Sequence, residues 1–197
     1  MSQSRPYHHG DLRSALLASA ERTLREKGAA ALSLRELARD IGVSHAAPGR
    51  HFKDKQALLD ALALGGYDRL NRALTAADLP DATFEPRITS LARAYITFAV
   101  DNAELLELMY SRKHDPDIDS ELADAVELSL CSFVNLIADA QRRGEIVEGD
   151  PERVTLVAAA GIHGLAAMTS NGTLQPDETL AGLDHYAHLL LHGLKPR

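Results

Sequence analysis

Alanine and leucine dominate this chain of 197 residues, with 31 of each, and this composition restricts its fold more than any other feature. Both residues favour helices, whereas the residues that favour strands are scarce: valine and isoleucine contribute 7 each, and tryptophan is absent. Apolar residues also recur at helical spacing between capping residues and glycines. The sequence therefore predicts an all-α fold and argues against an all-β one.

Caps and breakers give the limits of the first two predicted helices. The first begins with Asp11 as its N-cap and ends at Gly28. The second begins at Ser33, where Ser33 and Glu36 have the spacing of a capping box, and it ends at Gly42.

The rest of the chain continues in the same pattern, which gives about nine helices in all. The remaining helices are predicted, in order, as a short segment from Ser44, then 55–77, 85–100, 102–113, 117–143, 151–170 and a last helix after Pro176.

The net charge of −7 is unevenly distributed along the chain. Residues 1–55 contain 10 Lys and Arg against 6 Asp and Glu, whereas residues 56–197 contain 11 against 22. The basic N-terminal quarter is suited to binding the phosphates of nucleic acid as one module. The acidic remainder of the chain argues against binding nucleic acid over the whole protein surface. We therefore predict two domains, 1–55 and 56–197.

Several features predict a cytoplasmic protein without a membrane partner. The single cysteine, Cys131, excludes a disulfide framework and a multi-cysteine zinc site. The N-terminal residues are polar, unlike a signal peptide. The uncharged stretch 154–176 is interrupted by polar residues such as Thr155 and Asn171, so we interpret it as a buried helix.

The second and third predicted helices have the pattern of a helix-turn-helix. Ala38 lies four residues before Gly42, where a small side chain lets two helices cross closely. Gly42 can adopt the left-handed conformation that the tight turn requires. The residues expected in the core of this module are Leu37, Ile41, Val43 and Phe52.

On these residues, 11–59 resemble the N-terminal DNA-binding domain of the TetR family of bacterial regulators. The resemblance is carried by 32–38 (LSLRELA), 42–44 (GVS) and 50–59 (RHFKDKQALL), and the order of nine helices fits the whole chain. Residues 162–164 (Ile-His-Gly) are similar to a subgroup whose C-terminal domain has a Trp-His-Gly signature.

The resemblance implies a homodimer that binds a palindromic double-stranded DNA operator and pairs through its last two helices. It also implies a pocket for a small-molecule effector, whose binding spreads the DNA-reading domains and relieves repression. We expect no cofactor, no metal and no enzymatic activity, because the motifs of hydrolases, nucleotide-binding loops and zinc proteases are missing from the sequence.

From their positions in the family's DNA-binding domain, ten residues are expected to contact DNA. The N-terminal residues of a recognition helix reach base edges, and alanine methyl groups can contact thymine. The ten are Arg5 in the arm before the first helix, Ser33 and Arg35 opening the second helix, Ser44, His45, Ala46 and Ala47 opening the recognition helix, and Arg50, His51 and Lys55 at phosphates.

One position departs from the family's pattern. Gly49 stands where the family usually has an aromatic residue, most often tyrosine, which touches phosphate. The preceding Pro48 has no amide to donate to Ser44, and glycine is a poor helix former. We therefore predict a short or distorted recognition helix with weakened operator binding. An alternative is a relative that has lost operator binding and acts through a protein partner.

Nine residues lie on helices that line the effector pocket in the family, although each also fits an ordinary core position. They are Tyr95, Phe98, Met109, Tyr110, Cys131, Phe133, Asn135, His163 and Met168. His163 is the most informative, since it lies between two glycines that allow close helix approach; it fits a pocket residue and a core or interface histidine equally well.

Three histidines share one face of the last predicted helix. His185, His188 and His192 have the spacing i, i+3 and i+7, and such a face could bind metal across a two-fold axis. An i,i+4 surface contact between Asp184 and His188 explains the pattern as well. A helical small-molecule carrier or metal-binding protein is therefore a further alternative.

Overall fold

The computed structural model describes residues 9–193, with side chains from Leu12 onward, and over this range the chain is all-α. None of the described helices is long and apolar enough to cross a membrane. The α-helices of the described range are α1 (His9–Lys27), α2 (Leu34–Asp40), α3 (Lys55–Ala77), α4 (Phe84–Asp101), α5 (Ala103–Lys113), α6 (Ser120–Arg142), α7 (Pro151–Ser170), α8 (Pro176–Ala181) and α9 (Leu183–His192).

These helices form two compact units that do not follow the chain in simple order. One unit combines Met1–Gly66 with Glu104–Ala123, and the other combines Tyr67–Ala103 with Asp124–Arg197. Helix α3 contributes residues to both units. The predicted domain boundary after residue 55 stays a prediction, since the units are defined by packing and not by a single point along the chain.

The first unit has an apolar core that draws on α1, α2, α3 and the segment between α2 and α3. Leu16, Leu37, Phe52 and Leu58 are all at most 2% exposed. Helix α5 approaches α3 closely at Gly66, where an added Cβ would lie 2.6 Å from the sulfur of Met109. A small residue at position 66 is thus part of the packing of this unit.

The neighbouring glycines of α3 should therefore respond to alanine in opposite ways. We expect Gly65→Ala to raise the free energy of unfolding by about 0.5–1 kcal/mol, because nothing lies within 4 Å of its Cβ position and alanine favours helix. We expect Gly66→Ala to lower it by about 1–2 kcal/mol, because the buried Met109 must shift. Urea denaturation of both variants measures the difference; equal effects would contradict the close approach.

The second unit is built around α4, which packs against α7, α8 and α9. Ile88, Ile96 and Ala99 of α4 are nearly inaccessible to solvent. The segment before α4 is attached by a two-point ion pair, since Arg87 Nε lies 2.6 Å from Asp78 Oδ1 and Arg87 Nη2 lies 2.8 Å from Asp78 Oδ2. The hydrogen bonds from Arg87 hold the pKa of Asp78 below its usual value.

Two predicted caps are wrong in detail. The first helix already includes His9, so Asp11 lies inside its first turn and is not the N-cap. Ser33 is the N-cap of α2 and its carbonyl accepts from the Leu37 amide, but its hydroxyl makes no capping hydrogen bond. The capping box is therefore not formed, and Glu36 instead lies 3.8 Å from Arg39 one turn along the helix.

The last predicted helix is divided at Gly182 into α8 and α9. The backbone at Gly182 stays near the helical region (φ −83°, ψ −3°), and the ring of Tyr186 lies against it, 2.8 Å from where a Cβ would be. Glycine at this position thus gives the Tyr186 ring room to pack on the backbone at the joint.

Candidate nucleic-acid interface and effector site

Helix α2 and the turn after it have the geometry predicted for a helix-turn-helix. Ala38 is fully buried, and its carbonyl accepts a hydrogen bond of 2.9 Å from the Val43 amide. Gly42 adopts φ +72°, the left-handed conformation that glycine supplies without strain. Of the predicted core residues, Leu37 and Phe52 are buried, whereas Ile41 and Val43 are half-buried.

The segment that follows the turn is not an α-helix, which corrects the predicted third helix and confirms its predicted distortion. Within residues 44–54 the regular element is a 3₁₀ helix over Pro48–Arg50. The Ser44 carbonyl accepts from the Ala47 amide at 3.0 Å, and the Ala47 carbonyl accepts from Arg50 at 3.2 Å. An α-helix would require position 48 to donate to Ser44, and a proline has no amide hydrogen to do so.

The second half of this segment is nevertheless fixed by buried side chains and a helix cap. The Phe52 amide donates to the Pro48 carbonyl at 3.0 Å, and both side chains are buried. The guanidinium of Arg13 lies 5.6 Å from the centre of the Phe52 ring. Asp54 then caps α3 by accepting from the Ala57 amide at 2.9 Å. Residues 44–54, which we call the recognition segment, thus form a series of tight turns anchored by the buried Pro48 and Phe52 and followed by a capped helix.

The predicted DNA-contacting residues in the described range all have some solvent access. Arg5 lies outside the described residues. The Lys55 ammonium donates to the Ala30 carbonyl at 3.0 Å, so its charge also ties the start of α3 to the turn after α1. Arg35, Ser44, His45, Ala46 and Arg50 are exposed, and Ser33, Ala47, His51 and Lys55 are half-buried.

The predicted effector residues occur in both compact units. Met109 and Tyr110 belong to the first unit, and the other seven belong to the second. Phe98 is buried and Phe133 is half-buried, whereas Cys131, Asn135 and Met168 are exposed.

Two of the nine residues meet in the interior of the second unit. The Tyr95 hydroxyl and His163 Nδ1 are 2.9 Å apart, with the two rings at 64° to one another. This hydrogen bond links α4 to α7, so His163 has the partner that a core histidine requires. Its role toward an effector stays a prediction.

The second unit contains a cavity of about 770 Å³ that was not predicted from the sequence. Its walls are mostly apolar, with Glu85, Glu145, Arg153 and His192 as the charged or titratable groups. Glu145 already accepts from the Phe84 amide and pairs with Arg143. The full lining is Thr83, Phe84, Glu85, Ile88, Ile137, Gly144, Glu145, Ile146, Val147, Arg153, Val154, Val157, Ala158, Leu190, Leu191 and His192.

The size and lining of this cavity suit a small apolar molecule, since ligand sites commonly measure about 300–1,000 Å³. None of the nine predicted effector residues lines it. Its walls come from the ends of α4, α6, α7 and α9 and from the loop after α6. The apolar wall residues on the helices have the ordinary spacing of core residues in the sequence. Ile146 and Val147, two apolar residues in a loop of glycines and acidic residues after α6, are the local signal that could have indicated this cavity.

Comparison with family models divides the chain into two matching parts. Residues 16–62 match the model described as "Bacterial regulatory proteins, tetR family". Residues 88–194 match the model described as "Tetracyclin repressor-like, C-terminal domain". The first match covers the helix-turn-helix, and the second covers the helices that form the cavity.

Solved structures share this fold. A protein of unknown function from Rhodococcus sp. RHA1 is 44% identical, with a TM-score of 0.80 over 94% of this chain and 98% of that one. A tetR-family regulatory protein from Rhodococcus RHA1 is 26% identical, with a TM-score of 0.70 over 91% and 94%. A TetR/AcrR-family regulator from Thermobifida fusca is 25% identical, with a TM-score of 0.70 over 94% and 100%. The comparison with curated proteins gave no match.

Proposed function

Because the chain belongs to the TetR family of bacterial DNA-binding transcriptional regulators, we propose that it is a homodimeric repressor that a small apolar effector releases from a palindromic operator. The observation that carries the effector part is the apolar cavity of about 770 Å³, in the same chain as a helix-turn-helix. The regulator would thus sense a metabolite and read DNA without a separate sensor protein.

The surface of α7 supports dimerisation through the last helices. Leu156 is 69% exposed, and the helix carries no charged residue from Val154 to its end. A helix with apolar residues on its open face gains free energy by burying that face, and a second copy of the chain is the partner that a palindrome requires.

The exposed cationic side chains of the helix-turn-helix support DNA binding in which contacts to phosphate predominate. Arg35 and Arg50 are exposed on either side of the turn, and the exposed Ala46 offers a methyl group to base edges. The 3₁₀ segment presents fewer residues to the groove than an α-helix of several turns. Phosphate contacts should therefore supply most of the affinity, which makes binding strongly dependent on salt.

The effector would release the protein from DNA by shifting its population from a DNA-competent to a DNA-incompetent conformation. The effector must bind the DNA-incompetent arrangement more tightly than the DNA-bound one, and a coupling of about 1–3 kcal/mol changes operator affinity roughly 5–150-fold. Apolar walls supply most of the effector's binding free energy, while Arg153 and Glu85 can orient a polar end.

The experiment that tests this proposal is effector screening on a DNA complex. A selected operator duplex is bound, small apolar compounds are added, and release is followed by fluorescence anisotropy.

Ala158→Phe fills the cavity and should abolish the response to an active compound while leaving operator binding intact. Tyr95→Phe, which breaks the hydrogen bond to His163 outside the cavity, is the matched variant. A response lost in Tyr95→Phe and kept in Ala158→Phe would move the effector site to the Tyr95–His163 pair.

Restoring an aromatic ring at position 49 should strengthen operator binding. Nothing lies within 4 Å of the Cβ position of Gly49, and its φ is not in the left-handed range, so a side chain fits there. We expect Gly49→Tyr to tighten binding about tenfold through a hydrogen bond to phosphate. Gly49→Ala controls for backbone stiffening alone. If both variants bind equally, the ring makes no phosphate contact in this segment.

A further inference from the structure

We propose that Glu85, His188 and His192 form a binding site for a divalent transition metal ion of the Zn²⁺ class. His188 Nδ1 lies 3.4 Å from Glu85 Oε1, and His192 Nε2 lies 3.7 Å from Glu85 Oε2. The potential ligand atoms of the three residues all lie within 4.8 Å of one another. The third ligand comes from α4 of the same chain, so the site needs no two-fold axis.

The spacing of these atoms fits a tetrahedral ion. Ligands at bond lengths of about 2.0–2.1 Å from Zn²⁺ stand about 3.3 Å apart at tetrahedral angles. The separations of 3.4 and 3.7 Å, one to each oxygen of the Glu85 carboxylate, are close to that value. His188 and His192 are one turn apart on α9, which places both rings on one side of the helix. Small side-chain rotations therefore suffice to enclose an ion.

The chemistry of the cluster favours a metal over simple ion pairing. The rings of His188 and His192 have centroids 4.3 Å apart, so two protonated imidazoles would repel one another. Neutral imidazoles that share one cation avoid this repulsion. Two nitrogens and one carboxylate suit Zn²⁺, Co²⁺ or Ni²⁺, whereas Mg²⁺ and Ca²⁺ prefer sites made of oxygen.

The position of the cluster links the start of α4 to the end of α9. Glu85 lies in the first turn of α4, and His192 is the last residue of α9. Both residues also line the apolar cavity, so a bound ion would form part of its wall. Three protein ligands leave a fourth coordination position for water. The side chains are 36–52% exposed, which gives an ion access from solvent.

The test is zinc binding by the full chain, prepared without an affinity tag and stripped with a chelator. Calorimetric titration with Zn²⁺ should give one ion per chain. We expect His188→Ala, His192→Ala and Glu85→Gln each to weaken binding about 100-fold or more, since even loss of an outer-shell partner costs 10–100-fold. His185→Ala is the matched control, because His185 is exposed on the same helix outside the cluster, and it should bind as the unchanged chain does.

A second readout keeps the test independent of folding and of DNA. Co²⁺ bound in a tetrahedral site of this kind should give visible absorption bands that Glu85→Gln removes, while far-ultraviolet circular dichroism confirms that the variant remains helical. The proposal is overturned if the unchanged chain binds no stoichiometric Zn²⁺, or if the double variant His188→Ala, His192→Ala binds it as well as the unchanged chain. Neither measurement depends on an operator or an effector.

Discussion

Replacing Arg112 with alanine is expected to lower the free energy of unfolding by about 3–5 kcal/mol, because it leaves the carboxylate of Asp60 buried without its cation. Arg112 on α5 has a side chain only 6% exposed, and its Nε lies 2.6 Å from Asp60 Oδ1. Its Nη1 lies 2.9 Å from Gln56 Oε1, so α5 and α3 are joined inside the first unit. Urea denaturation at one fixed protein concentration measures the loss, since the proposed dimerisation would make stability depend on concentration.

The electrostatics of this cluster explain the size of the effect. Burial alone would lower the pKa of Arg112, but the hydrogen bonds and charges of Asp60 and Asp115 raise it overall above its usual value. The cation is therefore held charged by two carboxylates, and the one on Asp60 is buried and would lose its cationic partner in the variant. A fully apolar replacement, Arg112→Met with Asp60→Leu, should recover most of the lost stability. A loss below about 1 kcal/mol in Arg112→Ala would show that water or a rearrangement compensates the carboxylate.

Placing a charge at Leu156 is expected to weaken dimerisation about 100-fold or more, and operator binding with it. Leu156 is 69% exposed in the chain, so glutamate there costs the isolated chain little but would be buried without a partner at an α7 interface. Analytical ultracentrifugation of Leu156→Glu measures the dimer constant, and anisotropy with an operator duplex measures the consequence for DNA. Circular dichroism checks that the helices are retained.

Leu128 provides the matched control on a different helix. It is 64% exposed on α6, outside the last helices, so Leu128→Glu has the same chemistry at a site predicted to face solvent in the dimer. We expect it to dimerise and bind DNA as the unchanged chain does. Loss of the dimer in Leu128→Glu, with Leu156→Glu unaffected, would assign the interface to α6 instead.

The features that the sequence predicted well depend on neighbouring residues. Asp150 and Pro151 predicted the start of α7, where the Asp150 side chain accepts from the Glu152 amide at 3.0 Å. Helix α3 has the predicted limits, 55–77. Pro48 predicted the loss of a regular recognition helix, because a missing amide hydrogen is a local property of the chain.

The features that the sequence missed depend on contacts between distant segments. The division at Gly182 depends on how the Tyr186 ring packs, and no spacing rule contains that information. Glu85 lies about a hundred positions before His188. The spacing of the histidines on α9 could therefore indicate only two of the three residues in the cluster of Glu85, His188 and His192. The cavity is formed by the ends of four helices, each of which has an ordinary apolar pattern.

The central claim is that this chain is a regulator that reads DNA through a shortened recognition segment. Its most direct test is to select bound sequences from a random pool of duplexes and then to measure their binding by fluorescence anisotropy at two salt concentrations. We expect a palindromic sequence that binds more tightly than a scrambled duplex and loses affinity as salt rises. Arg50→Ala should weaken both duplexes alike and reduce the salt slope by about one unit. Selection that yields no sequence bound more tightly than the scrambled duplex would contradict operator reading and favour action through a protein partner.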